Sequence, residues 1–190
     1  MVSEPTLHRA LDVAVSTVDG LGATPLDSPT PCAEWDLSQL LSHMINTLDV
    51  SSRGLSGADA TPEEMDPQRT AAVGIDGTPA EALARTAARA RPVFSDPGLW
   101  NRTVNAPMPG LPAGVAASLL ATDLAVHSWD IARASGQDAS LPDDLAQDLY
   151  EFCSGAITPE VREGVFAAEV EAPSDATPSD RLVAFLGRRP

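Results

Sequence analysis

Two histidines and one aspartate are the residues whose types and spacing could carry chemistry. Asp123 and His127 are four positions apart, so a helix through this region would present both on one face. His43 lies within an otherwise apolar helical pattern earlier in the chain. Packing the two helices together would bring a carboxylate and two imidazoles to one point. This set suits zinc or another divalent first-row ion, and three ligands leave one position for water, a thiolate or substrate.

Simpler interpretations of the same residues stay open. A carboxylate four residues before a histidine can also support that histidine on a helix surface. His43 could equally be a packed, hydrogen-bonded residue of the core. His8, the third histidine, could add a fourth ligand from the first helix. Its neighbours form no distinctive pattern, however, and a solvated side chain is the favoured interpretation.

Four nearby residues could line a pocket or orient a ligand. Asp130 is one helical turn from His127, so it could hold that imidazole in place or cap a neighbouring segment. Trp35 and Trp129 could form pocket walls, although buried tryptophans in a bundle usually serve packing. Arg133 could recognise an anionic group on a ligand, with a surface ion pair as the alternative.

Two cysteines, Cys32 and Cys153, lie far apart in the chain and are expected to be reduced thiols rather than a disulfide. The loop around Cys32 supplies no activating base, which favours a small packed residue over a nucleophile. Cys153 falls in an apolar helical pattern and is expected to be inert core. No Gly-x-Ser-x-Gly motif is present, which argues against Ser-His-Asp hydrolysis.

Helices separated by proline- and glycine-rich connectors must position these residues. Periodicity and capping signals predict four principal helices, from Glu4 to about Val18, Asp36 through Leu48, Thr78 to about Val93, and about Ala113 to Ser135. Gly136 should cap the last of these. Shorter helices are predicted over 143–153 and 180–186, and 23–33, 54–77 and 95–114 are interpreted as loops or irregular segments. Periodicity does not decide between strand and helix for 165–170.

The fold class that follows is all-α, a four-helix bundle with long loops and a short C-terminal extension. A single domain is expected over residues 1–190, with the bundle in 1–155 and a wrapped tail in 156–190.

The composition excludes several classes of function. The 190 residues include 27 acidic and 12 basic side chains, all of the latter arginine, for a net charge of −15. Such a charge argues against nucleic acid and membrane partners, because both need a basic surface. Without lysine the chain cannot form Schiff bases or a P-loop. No secretory signal or membrane-spanning run is recognised, so a cytoplasmic location is expected.

Three segments of the sequence together carry a resemblance to a known family. They are 30–36 (Thr-Pro-Cys-Ala-Glu-Trp-Asp) leading to His43, 123–130 (Asp-Leu-Ala-Val-His-Ser-Trp-Asp), and 175–188 from Asp-Ala to Gly-Arg. In this order they resemble the actinobacterial metal-binding proteins related to the N-terminal domain of mycothiol-dependent maleylpyruvate isomerase. Those proteins belong to the DinB/YfiT-like superfamily of four-helix bundles.

The resemblance implies a bound divalent metal, with zinc expected first and nickel or iron as alternatives. Carried over position by position, the ligands are His43, Asp123 and His127; the isomerase has a glutamate where this sequence has Asp123. The resemblance also implies a mycothiol-type thiol, so the expected activity is S-transfer or isomerisation of a small electrophile. A metal-dependent hydrolase and a non-enzymatic metal- or ligand-binding bundle are the alternatives. Neither a general acid nor a general base can be named, and a homodimer through a helix face is allowed.

Overall fold

The computed structural model describes residues 1–163 and 166–190. Within that part of the chain it contains eight α-helices, two short 3-10 helices and one antiparallel ribbon. The helices are α1 (Glu4–Asp19), α2 (Leu37–Ser56), α3 (Pro67–Ala72), α4 (Pro79–Phe94), α5 (Ala113–Ser135), α6 (Asp143–Ala156), α7 (Pro159–Arg162) and α8 (Pro178–Phe185). The 3-10 helices are Pro62–Met65 and Leu99–Asn101, and the ribbon pairs β1 (Thr103–Val104) with β2 (Leu111–Pro112). The predicted all-α bundle is therefore confirmed.

The principal helices begin and end close to the capping residues that the sequence predicts. Asp36 accepts a hydrogen bond from the Gln39 backbone N–H while the Gln39 side chain accepts one from the Asp36 N–H, which closes the predicted capping box of α2. Thr78 begins α4 in the same way. α5 runs over the predicted residues and ends at Gly136, whose φ of 72° is the left-handed conformation that glycine adopts without strain.

The segments predicted to be irregular contain more structure than expected. α2 continues to Ser56, and residues 57–77 contain both a 3-10 helix and α3, which prolines and capping side chains begin. The segment 95–114 contains the second 3-10 helix and the ribbon. Residues 166–170 are neither helix nor strand, and Val165 of the same ambiguous segment lies outside the described residues.

α5 is the central helix of the bundle, and its residues are buried on most sides. α1 packs against α4 and α5, while α2 packs against α3, α4 and α5. α8 packs against α6 and contributes Leu182 and Val183 to the same hydrophobic cluster as the bundle helices, together with Leu186 directly after it. Because α2 and α5 are in direct contact, their facing side chains meet inside the protein. Over the described residues, none of the helices combines the length and apolar character needed to cross a membrane.

Candidate metal centre

α2 and α5 bring the three predicted ligands together. Asp123 Oδ1 lies 3.1 Å from His43 Nε2 and 3.5 Å from His127 Nε2. The three ligand atoms fall within 4.8 Å of one another, a spacing that could hold one metal ion. Both histidines are buried, whereas the Asp123 side chain is 21% exposed. The cluster is therefore enclosed on the histidine side and accessible on the aspartate side.

A hydrogen bond at Nδ1 fixes the ring of His127. Nδ1 lies 3.1 Å from Oδ2 of Asp130, one turn further along α5, as the sequence suggested. A carboxylate can only accept, so Nδ1 carries the hydrogen. In the neutral imidazole the lone pair is then on Nε2, the atom that faces Asp123.

α3, which lies in a segment predicted to be irregular, fixes the ring of His43. Nδ1 lies 2.6 Å from Thr70 Oγ1, and that oxygen is 3.0 Å from the Pro67 carbonyl and 3.2 Å from the Asp66 carbonyl. A metal ion at Nε2 requires the hydrogen of His43 on Nδ1, and Thr70 Oγ1 can accept it while giving its own hydroxyl hydrogen to one of these carbonyls. In that tautomer the Nε2 lone pair of His43 also faces Asp123. Asn46 holds α3 in place by donating to the carbonyls of Thr70 and Val73.

The donor set fits a cation. Two imidazole lone pairs and a carboxylate oxygen converge, and these acceptors repel one another unless protons or a metal ion lie between them. Asp123 Oδ2 is also buried, and it has no hydrogen-bond partner in the described part of the chain. Two histidine nitrogens and a carboxylate oxygen are one of the ligand sets of catalytic zinc, in which outer hydrogen bonds orient the histidine rings.

The electrostatics of the metal-free cluster show the same need for positive charge. Burial by itself would raise the pKa of Asp123, but the facing imidazoles of His43 and His127 outweigh burial and lower it. Burial would likewise lower the pKa of His127, whereas Asp123 and then Asp130 raise it to about 9. In metal-free protein a proton on His127 therefore supplies the positive charge at neutral pH.

Arg188 is a part of the site that the analysis of single residues did not identify. Its guanidinium donates to Asp130 through Nη2, 2.9 Å from Oδ2, and through Nε, 3.4 Å from Oδ1. Asp130 is completely buried, and Arg188 together with His127 holds its pKa low against the effect of burial. Arg188 lies in the third segment of the family resemblance, which was the available signal.

Two residues of the loop before α2 cover the centre. Trp35 lies on the ring of His43, with 4.5 Å between ring centroids. The Cys32 sulfur lies within 4.8 Å of a nitrogen of His127 and an oxygen of Asp130. Burial, and secondarily the charge of Asp130, raises the pKa of Cys32 to about 11, so it is a neutral thiol at neutral pH. This supports a packed residue rather than a nucleophile.

The other residues singled out in the sequence lie elsewhere. The guanidinium of Arg133 is 5.2 Å from the centre of the Trp129 ring, and helical geometry places both away from the ligand face of α5. His8 Nε2 is 3.1 Å from Ser95 Oγ, and His8 does not belong to the candidate metal centre. Cys32 and Cys153 are both free thiols, as expected, and Cys153 is buried core.

A cavity of about 90 Å³ reaches the centre at Asp123. Thr47 and Ser51 of α2 and Leu119 and Leu120 of α5 form two of its sides. Two connecting segments form another side of the wall. One is the connection between α2 and α3, which contributes Met65, and the other is the turn between β1 and β2, which contributes Pro107. The cavity gives a small molecule a path to the aspartate side of the cluster.

Comparison with known proteins identifies the family of the chain. Residues 7–132 match the family described as Mycothiol maleylpyruvate isomerase N-terminal domain, a stretch that includes all three candidate ligands. The chain is 33% identical over 183 residues to proteins described as uncharacterized from Mycobacterium tuberculosis strains CDC 1551 / Oshkosh and ATCC 25618 / H37Rv, covering 95% of this chain and 94% of each relative. No solved structure gives a significant match. The chain therefore belongs to the mycothiol maleylpyruvate isomerase N-terminal domain family.

Proposed function

We propose that this protein is a divalent-metal enzyme that uses a low-molecular-weight thiol of the mycothiol type to act on a small electrophile. The observation that carries the proposal is the convergence of two Nε2 atoms, on His43 and His127, upon one carboxylate oxygen of Asp123. Membership of a family described by a mycothiol-using isomerase supports the thiol. The chemistry is either S-transfer or thiol-assisted isomerisation.

In this proposal His43, Asp123 and His127 hold the ion, which we expect to be zinc. When bound, a divalent cation supplies the positive charge that lowers the pKa of a coordinated thiol into the neutral range. Thr70 and Asp130 keep the two imidazole rings oriented through their Nδ1 atoms. Trp35 covers His43 and limits the access of water to that side of the cluster.

The cavity at Asp123 brings the electrophile to the centre. The thiolate sulfur forms a bond to the electrophilic carbon, and the electron pair of the attacked double bond moves away from that carbon. In a transferase the atom that receives this electron pair takes up one proton from solvent, in place of the proton that the thiol released, and the new C–S bond persists in the product. In an isomerase the same bond breaks after rotation, which returns the thiol unchanged.

Metal content is the first test. Protein purified without a histidine tag should contain about one equivalent of metal, as three inward-facing ligands require. His43→Ala and His127→Ala should both lose it, whereas His8→Ala, a histidine outside the cluster, should retain it. A wild-type protein that binds no metal after loading with zinc, nickel and iron would overturn the proposal.

Thiol turnover is the second test. Zinc-loaded protein should consume mycothiol in the presence of small electrophiles or isomerise them, and His127→Ala should not. A protein that holds its metal yet shows no thiol-dependent turnover over a panel of electrophiles would instead be a metal-binding bundle without catalysis.

A further inference from the structure

We infer that the substrate of this centre is a small electrophile without a carboxylate group, neutral where it enters the cavity at Asp123. The inference rests on the proposed function for the reaction, but the binding preference can be measured without it. The family description names maleylpyruvate, and the substrate class inferred for this chain is a different one.

The cavity wall is mostly apolar. Leu55, Ala106 and Ala116 complete it beside the leucines, Met65 and Pro107 already described, and the hydroxyl groups of Thr47 and Ser51 are its neutral polar groups. Such a wall favours apolar groups and leaves an introduced charge without a partner.

No positive side chain lines the cavity among the residues that the structure describes. Its one ionisable group is the carboxylate of Asp123. The open groove outside, which shares Met65 and Pro107 with the cavity, adds Glu63, Asp66 and a single Arg69. The path to the centre is therefore negative on balance, in a chain of net charge −15.

A bound cation would not change this conclusion. A divalent ion adds two positive charges, and Asp123 and a thiolate would supply two negative charges to balance them. A carboxylate from the substrate would then enter a partly buried site with no cation left to pair with it, which is costly. Maleylpyruvate, with two carboxylates, is therefore a poor match for this cavity.

The size of the cavity limits the part of the substrate that enters it. A volume of about 90 Å³ is well below the roughly 300 Å³ at which pockets for whole small-molecule ligands begin, so only a compact reactive end fits. The remainder of a longer molecule would lie in the adjoining groove, where Pro62 and Pro67 present further apolar surface.

Methyl NMR of the methionines tests the inference without any reaction. Protein carrying ¹³C-methyl methionine is titrated with methyl propionate, a neutral unreactive probe, and separately with propionate, its anion. Methyl propionate should shift the Met65 signal saturably, and propionate at the same concentration should not. Met44, fully buried in the core, is the internal reference. Met65→Leu assigns the signal.

Two variants make the result specific to the cavity. Ala116→Phe should fill it and abolish the Met65 shift, while Ala88→Phe on the exposed side of α4 should not. Leu119→Arg introduces the missing cation and should allow propionate to shift Met65.

The result separates the two proposals. Two results would overturn the substrate class, even if metal binding and thiol turnover were established. In the first, the Met65 signal of wild-type protein shifts as strongly with propionate as with methyl propionate. In the second, it does not shift with methyl propionate. Absence of metal or turnover with the expected NMR result would overturn the proposed function alone.

Discussion

Arg188 donates a hydrogen bond to Asp130 across 2.9 Å, joining the third residue from the end of the chain to a carboxylate buried in the middle of α5. Through the Nδ1 atom of His127, this pair is one hydrogen bond away from the candidate ligand set. The C-terminal segment therefore takes part in orienting the centre as well as in closing the core.

Replacing Arg188 should weaken metal binding from outside the ligand set. In Arg188→Gln, Asp130 keeps its charge but loses its cationic partner, and we expect metal affinity to fall roughly 10-fold and unfolding free energy to fall by about 3 kcal/mol. Chelator competition and denaturant unfolding measure the two effects. Arg189→Gln, the exposed neighbouring arginine, is the control and should change neither. Equal metal affinity in the Gln variant and wild type would contradict a positioning role.

Thr70→Val should reduce metal affinity by roughly 10-fold, because the nearly isosteric valine cannot accept the hydrogen bond that orients His43. Thr122→Val is a matched control, since Thr122 is also buried and donates to a backbone carbonyl, that of Ser118, on α5. Both substitutions should destabilise the fold by about 1 kcal/mol. A similar loss of metal affinity in the two variants would show that the effect is general rather than specific to His43.

The metal-free protein should lose stability as pH rises above neutrality. Against the effect of burial, Asp123 and Asp130 raise the pKa of His127 from its ordinary 6.5 to about 9. The folded state thus holds this proton more tightly than the unfolded state does. The stabilisation is complete below pH 6.5 and is lost as pH rises through about 9. Thermal unfolding of chelator-treated protein should show this decline, and His127→Gln should remove its main part.

Metal binding should release protons, because the ion and the proton compete for the same nitrogen. At pH 7.5 the raised pKa of His127 keeps it protonated in metal-free protein, so we expect roughly one proton released per ion. Calorimetry in two buffers of different ionisation enthalpy counts these protons. Binding enthalpies that agree between the buffers would contradict the protonated state. Metal affinity should also rise with pH up to about 9.

The length and charge of the acidic ligand can be tested separately at position 123. Asp123→Asn keeps the shape of the side chain but removes its negative charge. Replacing a residue that only hydrogen-bonds a metal ligand lowers metal affinity by up to roughly 100-fold, and replacing the ligand itself should lower it further. Asp123→Glu keeps the charge on a side chain one methylene longer and should retain metal. Inductively coupled plasma measurements after dialysis distinguish them. Metal retained at full occupancy by the Asn variant would exclude Asp123 as a ligand.

Local signals predicted much of the scaffold. The Asp36 and Gln39 capping box, and the run from Ala113 to the glycine at 136, placed the two ligand-bearing helices because such signals act over a few residues. α3 was missed since six residues show no measurable periodicity. Its Asp66-Pro67 start is nevertheless the same kind of signal as the threonine and proline that begin α4.

Contacts between distant segments could not be predicted in this way. Arg188 is 58 positions from Asp130, and no local pattern links them. The proximity of Cys32 to His127 depends on how the loop before α2 folds over α5, which side-chain spacing does not encode. Arg133 was considered for the site because it is near His127 in sequence, but helical geometry places it beside Trp129 instead.

The helices that carry the candidate ligands and the connecting segments that line the cavity are free to evolve at different rates. The ligands lie on α2 and α5, whose buried packing resists substitution, whereas Met65, Ala106 and Pro107 of the cavity wall lie on connectors. Connectors accept replacements and insertions at little cost to the core. Under the proposed function, relatives could therefore exchange one electrophile for another by remodelling two short segments, while keeping the same metal ligands.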